Sequence, residues 1–173
     1  LKQEMLEANN VINIKNVFQL DFPDNSFDSV SLLEITKAVE KIKSDIKPNI
    51  IFTHHFGDMN IDHQITHQAV LTATRPMCDE CVKQIYSMEI PSSTEWNSYN
   101  KNNIFVPNVF VDISQTINLK IQAMEKYKSE LRAYPHPRSL EFIKELAKTN
   151  GIKQGIGYCE QFALVRKVVT MDE

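Results

Sequence analysis

The sequence is poor in glycine, cysteine and long apolar runs, and each shortage argues against a class of protein. It has four glycines in 173 residues and no G-x-G-x-x-G fingerprint, which disfavours a dinucleotide-binding domain. Its three cysteines, an odd number, suit the reducing cytoplasm better than a disulfide framework. No apolar run approaches the roughly 18 residues of a membrane span, so we expect no membrane insertion.

The chain also has no large excess of charge of either sign. The chain carries 19 Lys and Arg against 22 Asp and Glu, for a net charge of -3, and nucleic-acid binding normally needs a basic face. We therefore expect no nucleic-acid partner. The hydrophobic share of 42% and the length are those of an ordinary globular protein, which predicts one domain over residues 1–173.

Hydrophobic periodicity in the first half predicts alternating helices and strands. "LKQEMLEANN" and "SVSLLEITKAVEKIKSDI" have helical spacing, "VFQLDF" (Val17 to Phe22) has strand character, and "NIIFTHH" indicates a strand that is apolar on both faces. A further helix is expected to open at Asn60 to Asp62 and to stop near Pro76. This alternation predicts an α/β domain with a mostly parallel sheet covered by helices.

The second half is less regular. "CVKQIYSMEI" and "EQFALVRKVV" indicate strands, and a long ordered loop is expected from Pro91 to Asn108. A helix is expected over "SQTINLKIQAMEKYKSELRA", with Ser114 as its N-cap, and another after the prolines of "YPHPRSLEFIKELAKTNG".

Four of the five histidines fall in "THHFGDMNIDHQITHQAV", directly after the apolar run that ends at Phe52. In an open α/β sheet, ligands gather beyond the carboxyl ends of the strands, where this segment is expected to lie. His63 and His67 are spaced i, i+4 and would share one helix face, as in helical zinc sites. Asp58, Asn60 and Asp62 have ordinary alternatives as turn or cap residues, and His67 has one in packing.

The same segment carries a family resemblance. "THHFGDMNIDHQITHQAVLTATRP" is similar to the "HHPGDxNxDHxxxxxAxxxATRP" segment of the LmbE-like or PIG-L-like family of zinc-dependent deacetylases that act on N-acetylated sugars. The likeness continues in order through "LDFPDNSFD", "EIPSSTEW", "FVPNVFVDIS", "KIQAMEKYKSELRAYPHPRS" and "CEQFALVR". It therefore covers nearly the whole chain.

The resemblance implies a Rossmann-like, three-layer α/β domain that holds Zn²⁺, or another divalent metal, with two histidines and an aspartate. His63 takes the position of the metal-binding histidine in "NIDH", and Asp62 is the carboxylate beside it. Asn60 stands where many relatives have a histidine that assists catalysis. This leaves the electrophilic residue open among His54, His55 and His136.

The other ligands and the general base of the family come from an "AHPDDE" motif, which this sequence lacks. Because the chain also starts at Leu1 within a helical pattern, we expect that the first strand and the metal-binding loop precede it in the natural protein. The 173-residue chain alone is then expected to be catalytically incompetent, since a zinc site needs three or four protein ligands.

Four residues are candidates for substrate binding. Asp24 lies in the "FPDN" turn, where it would bind a substrate hydroxyl or only shape the turn. Trp96 offers a stacking surface for a sugar ring or a core side chain. His136 and Arg138 lie on a proline-restricted loop that would present polar groups rigidly to a pocket.

The resemblance, together with the composition, implies a cytoplasmic, zinc-dependent hydrolase that removes the acetyl group from an N-acetylated sugar or sugar nucleotide. Relatives commonly assemble, so a homo-oligomer is also expected. The alternative is a non-catalytic carbohydrate-binding or scaffold protein that has kept the pocket and lost the metal.

Overall fold

The computed structural model describes residues 1–169. In chain order its elements are α1 (Lys2–Val11), α2 (Leu32–Ile46), β1 (Ile50–His54), α3 (Ile61–Ala73), β2 (Gln84–Met88), β3 (Val109–Asp112), α4 (Ile117–Met124), α5 (Leu140–Lys153) and β4 (Cys159–Lys167). Three short 3₁₀ turns lie at Phe27–Ser29, Glu95–Asn97 and Lys101–Asn103. The predicted α/β class is confirmed.

The four strands form one sheet in the order β1-β2-β4-β3. β1 and β2 are parallel, as expected for strands joined through a helix, here α3, whereas β2 and β4 are antiparallel. A mostly parallel sheet was therefore the wrong prediction, because β4 enters the sheet beside β2 in the opposite direction.

The chain divides into two compact units, and the histidine segment lies in one of them. This unit comprises Leu20–Val109 together with the described part of Phe162–Glu173. In it, α2 packs on α3, and the buried side chains of Ile35, Ala69, Val70 and Ile85 form its interior.

The other unit comprises Leu1–Gln19 and Phe110–Gln161. Its core contains Ile113, Ile117 and Ala147, with the partly buried Ile121 and Tyr158 packed against them. Helix α1 packs on α4.

Two local predictions were wrong, and one strand was not predicted. Val17 to Phe22 forms no strand, and its apolar side chains at Val17, Phe18 and Leu20 are exposed, so no ladder partner fixes an extended conformation. β1 is not buried on both faces, because Ile50 and Phe52, which lie on the same face of the strand, are 40% and 52% exposed. β3 (Val109–Asp112) directly follows the expected loop, at residues for which no element was predicted.

The helix expected over Ser114 to Ala133 is shorter and starts later. α4 spans Ile117–Met124 with Thr116 as its N-cap. The Ser114 hydroxyl cannot cap it, since it donates to Asp112 and accepts from the Tyr158 N–H. Short turns replace helix after Met124. By contrast, α3 begins after Asn60 as predicted, and the Asn60 side chain accepts from the Asp62 N–H.

No helix within residues 1–169 combines the length and the apolar character required to cross a bilayer.

Candidate functional site: the histidine cluster at the end of β1

The end of β1 and the start of α3 bring two imidazole rings together. His54 is the last residue of β1, and His63 lies in the first turn of α3. Their rings stack face to face, with centroids 4.0 Å apart and planes 10° from parallel. The site predicted at the carboxyl end of this strand is thus built around His54 and His63.

The carboxylate beside His63 belongs to Asp58. The Nδ1 atom of His63 lies 3.0 Å from Asp58 Oδ1, an ion-pair distance at which the two atoms do not have the geometry of a hydrogen bond. The Asp58 side chain is 0% exposed and that of His63 is 20% exposed. This contact is therefore largely shielded from water.

Asp58 also receives hydrogen bonds from three other groups. The hydroxyls of Ser93 and Thr94 donate to its two oxygens, and the Asn60 N–H donates to Oδ1 at 2.9 Å. Burial alone would raise the pKa of Asp58, but the contacts with His63, Ser93, Thr94 and Asn60 outweigh it and lower that pKa to about 2. The carboxylate is ionised at neutral pH.

Gly57 allows the loop of residues 95–103 to approach this carboxylate. A Cβ atom at Gly57 would lie 2.6 Å from the backbone of Asn103, closer than real atoms approach. The Asn97 side chain donates to the Gly57 carbonyl at 3.0 Å. Glycine is therefore required at position 57 by the close contact between two loops.

Asp62 was expected beside His63, and the structure places its oxygens elsewhere. They accept hydrogen bonds from the backbone N–H groups of Asn25 (2.7 Å) and Phe27 (2.9 Å). Asp62 thus fixes the "PDNSF" turn to the first turn of α3. Its assignment to catalysis remains a prediction, but the orienting contact with His63 is made by Asp58.

The side chain of Asn60 is fully engaged in the same region. Its oxygen caps α3, and its Nδ2 donates to the Asn25 side chain at 3.1 Å. The Asn25 amide in turn donates to Asp24 at 3.1 Å. The exposed Asp24 is thereby connected to Asn60, so two of the predicted site residues come together.

The remaining histidines of the segment are fixed by the backbone. His55 is buried, and its Nε2 lies 2.9 Å from the carbonyl oxygen of Asn103. His67 is buried, and its Nδ1 lies 2.8 Å from the carbonyl oxygen of His54. His67 thus ties α3 to β1 through its Nδ1 atom, which agrees with the packing role considered for it.

Burial governs the charge of His54. Removal from water, reinforced by the neighbouring His63, lowers the pKa of His54 to about 4 despite the opposing effect of Asp58. Its Nδ1 is buried without a hydrogen-bond partner in the described chain. At neutral pH the cluster consists of a neutral His54 and an ionised Asp58 that flank His63.

The three remaining substrate-binding candidates lie on two loops, one in each unit of the chain. Trp96 is in the turn Glu95–Asn97 and is 45% exposed, so its core alternative is wrong. His136 and Arg138 belong to the other unit. There the Arg138 N–H donates to His136 Nδ1 at 3.0 Å, and its guanidinium pairs with Glu130.

The described residues do not complete a metal site. Among residues 1–169, no group of three or more His, Cys, Asp or Glu side chains is arranged to hold a metal ion. A catalytic zinc uses three protein ligands, so the residues present do not by themselves fit Zn²⁺.

Sequence reasoning did not identify Ser93 and Thr94 as parts of the site and did not assign Asp58 as the partner of His63. Three consecutive hydroxyl residues after Pro91, in a segment that shares the family resemblance, were the available signal. Nothing in their spacing from Asp58, 35 and 36 residues away, indicates the contact.

Known proteins resemble this chain in sequence. The family model described as PIG-L: GlcNAc-PI de-N-acetylase matches residues 1–74, which include the whole histidine segment. The chain is 29% identical over 134 residues to the uncharacterized deacetylase YaiS of Escherichia coli (strain K12), covering 73% of this chain and 64% of YaiS. The chain therefore spans less than two thirds of that relative.

Solved structures share the fold. The conserved protein TT1542 from Thermus thermophilus superposes with a TM-score of 0.73 at 19% identity, covering 98% of this chain and 74% of TT1542. The N,N'-diacetylchitobiose deacetylase from Pyrococcus horikoshii gives 0.73 at 17% identity, covering 95% and 62%. The GalB 4-carboxy-2-hydroxymuconate hydratase from Pseudomonas putida KT2440 gives 0.72 at 18%, covering 98% and 72%.

The predicted resemblance to LmbE-like and PIG-L-like proteins is thus confirmed, and the Rossmann-like α/β fold with it. The presence of a hydratase among these structures shows that the fold alone does not select a reaction.

Proposed function

We propose that the protein is a hydrolase that removes the acetyl group from an N-acetylated sugar or sugar nucleotide, with His63 as one ligand of a zinc or other divalent metal ion. The observation that carries the proposal is the buried contact between His63 and Asp58 at the end of β1. A carboxylate on the second nitrogen of an imidazole is the usual support of a metal-binding histidine. A purely structural histidine does not need it.

The names of similar proteins support the reaction class. The matching family model is described by de-N-acetylation, YaiS is described as a deacetylase, and one of the solved structures is a diacetylchitobiose deacetylase. An acetylated amino sugar is the substrate class that fits the family model and the chitobiose enzyme.

This chain's residues would act by binding and orientation. His63 would offer a neutral ring nitrogen, and Asp24 would accept a hydrogen bond from a substrate hydroxyl. The exposed face of Trp96 would stack on a sugar ring. The metal, when bound, would polarise the amide carbonyl, and its further ligands would come from a His-Pro-Asp-Asp motif that is not in this sequence.

Acetate release tests the proposal. The natural protein is incubated with a panel of acetamido sugars and sugar nucleotides, before and after chelation. We expect chelator-sensitive release from at least one substrate, a loss of about 100-fold or more in H63A, and wild-type rates in D45N, which alters an exposed carboxylate of α2. The 173-residue chain alone is expected to release none.

The alternative, a carbohydrate-binding relative without catalysis, predicts a different result. Saturable sugar binding that ignores chelators, with no acetate from any substrate, would replace the proposal with that alternative. Cytoplasmic location and homo-oligomer formation remain predictions.

A further inference from the structure

We infer that Asp58 is a positioning residue that keeps the proton of His63 on Nδ1 and leaves Nε2 free, and that Ser93 and Thr94 belong to the same site because they fix Asp58. The catalytic consequence of this inference rests on the proposed function. Its structural content, the protonated nitrogen of one ring, does not.

The groups around Asp58 require an acceptor. Thr94 Oγ1 accepts from the Ile90 N–H at 2.7 Å, so its own proton is directed to Asp58 Oδ2, 2.6 Å away. The Ser93 hydroxyl and the Asn60 N–H also donate to Asp58. A carboxylate that faces donors from every described side is held in its ionised, acceptor-only form.

That acceptor determines the tautomer of His63. The Nδ1 atom lies 3.0 Å from Asp58 Oδ1, and an unprotonated Nδ1 there would place a lone pair against an anion. The proton is therefore on Nδ1, and the lone pair is on Nε2. The stacked ring of His54, 4.0 Å away, restricts the ring plane, and unliganded sites often hold such contacts with imperfect alignment.

The loop that follows β2 completes the arrangement. The Met59 N–H donates to the Ser93 carbonyl at 3.4 Å, and Asn97 Nδ2 donates to the Gly57 carbonyl at 3.0 Å. These contacts run along both sides of Asp58. The segment that was predicted as a long ordered loop thus holds the support of His63.

Asp62 supplies the matched control. It is a buried carboxylate of the same segment, and its oxygens bond to the Asn25 and Phe27 N–H groups. Loss of Asp62 removes a buried charge near His63 without removing the contact to Nδ1. If the loss of any buried charge changed the tautomer of His63, the change would appear in variants of both Asp58 and Asp62. A positioning effect would appear only in the Asp58 variants.

Two-bond ¹H–¹⁵N correlation spectra of the labelled natural protein, freed of metal by chelation and measured at pH 8, read the tautomer directly. We expect His63 to be mainly Nδ1-protonated in the wild type and in D62N. In D58A the Nε2-protonated form should become the major one, and D58N, which keeps the shape of the side chain, should give a mixture. A wild-type His63 protonated on Nε2 would overturn the inference even if every Asp58 variant failed to fold, as would an unchanged tautomer in a folded D58A.

Kinetics of the natural protein separate this inference from the proposed function. D58N should lower kcat for acetate release about 10- to 100-fold with KM nearly unchanged. A kcat equal to that of the wild type would contradict the positioning role while leaving the deacetylase proposal intact. The expected tautomer in a protein that releases no acetate would contradict the proposed function alone.

Discussion

Asp58 and Asp62 are two buried carboxylates within a stretch of five residues, and they have different hydrogen-bond partners. Asp58 faces inward to two hydroxyls, a backbone N–H and the His63 ring. Asp62 faces the turn that contains Asp24 and bonds only to backbone N–H groups. The difference shows that closeness in sequence to a histidine does not identify its supporting carboxylate.

Removal of Asp58 should have the largest effect on stability. D58A leaves the donors of Ser93, Thr94 and Asn60 buried without their acceptor, so we expect a loss of about 3–5 kcal/mol in the free energy of unfolding. Urea unfolding at pH 7 measures it. The exposed-site variant D45N should stay within about 0.5 kcal/mol of the wild type, and a D58A as stable as D45N would contradict the described network.

Acid should remove part of this stabilisation from the wild type. Although burial opposes it, the hydrogen bonds lower the pKa of Asp58 from 3.8 to about 2. A lowered carboxyl pKa stabilises the fold fully above the unfolded value near 3.8, and this contribution is lost as pH falls through about 2. The wild type should therefore lose about 2 kcal/mol more than D58N between pH 4.5 and pH 2.

The comparison with D58N removes most contributions other than that of the carboxylate. His54, whose pKa burial lowers to about 4, costs stability in both proteins as pH falls; because Asp58 raises the pKa of His54, this cost is larger in D58N and reduces the measured difference. Parallel pH profiles for the two proteins below pH 4 would mean that Asp58 is not the group responsible.

Replacement of Asp62 should be milder and local. D62N keeps one carbonyl oxygen for two N–H donors in a partly buried turn, which should cost about 1–2 kcal/mol. Hydrogen exchange at the Asn25 and Phe27 amides should accelerate, while the amides of Ser93 and Thr94 keep their protection. Equal acceleration in both places would erase the distinction between the two carboxylates.

The smallest effect is expected from a single hydroxyl. T94V removes one donor to Asp58 and one acceptor for the Ile90 N–H, and should cost about 1 kcal/mol in thermal or urea unfolding. S98A, which removes an exposed hydroxyl bonded to the Glu95 carbonyl, serves as the control. Indistinguishable T94V and S98A stabilities would show that Thr94 does not hold Asp58.

Local signals predicted much of the fold. The periodicity of Leu32–Ile46 and the capping residue Asn60 give α2 and the start of α3 correctly, because these features act within one or two turns. The strand at Ile50–His54 and the histidines at its end follow from similarly local patterns. Long-range pairing was not visible, which is why the direction of β4 and the exposure of Phe52 were mispredicted.

The site was predictable in its position and not in its contacts. Histidine density at a strand end identifies His54 and His63, and the family resemblance selects His63. The support from Asp58 depends on Ser93 and Thr94, which a 35-residue loop closure brings in. The spacing of residues along the sequence contains no information about such a closure. The adjacency of Asp62 and His63 in the sequence suggested that their side chains interact, but the oxygens of Asp62 bond to the N–H groups of Asn25 and Phe27 instead.

One crystallographic measurement tests the central claim most directly. Crystals of the natural protein soaked in Zn²⁺ and measured at the zinc absorption edge should show an anomalous peak about 2.0–2.1 Å from His63 Nε2, with Asp58 on the opposite nitrogen of the ring. A metal ion bound through Nδ1, or bound at a place that does not include His63, would contradict the account.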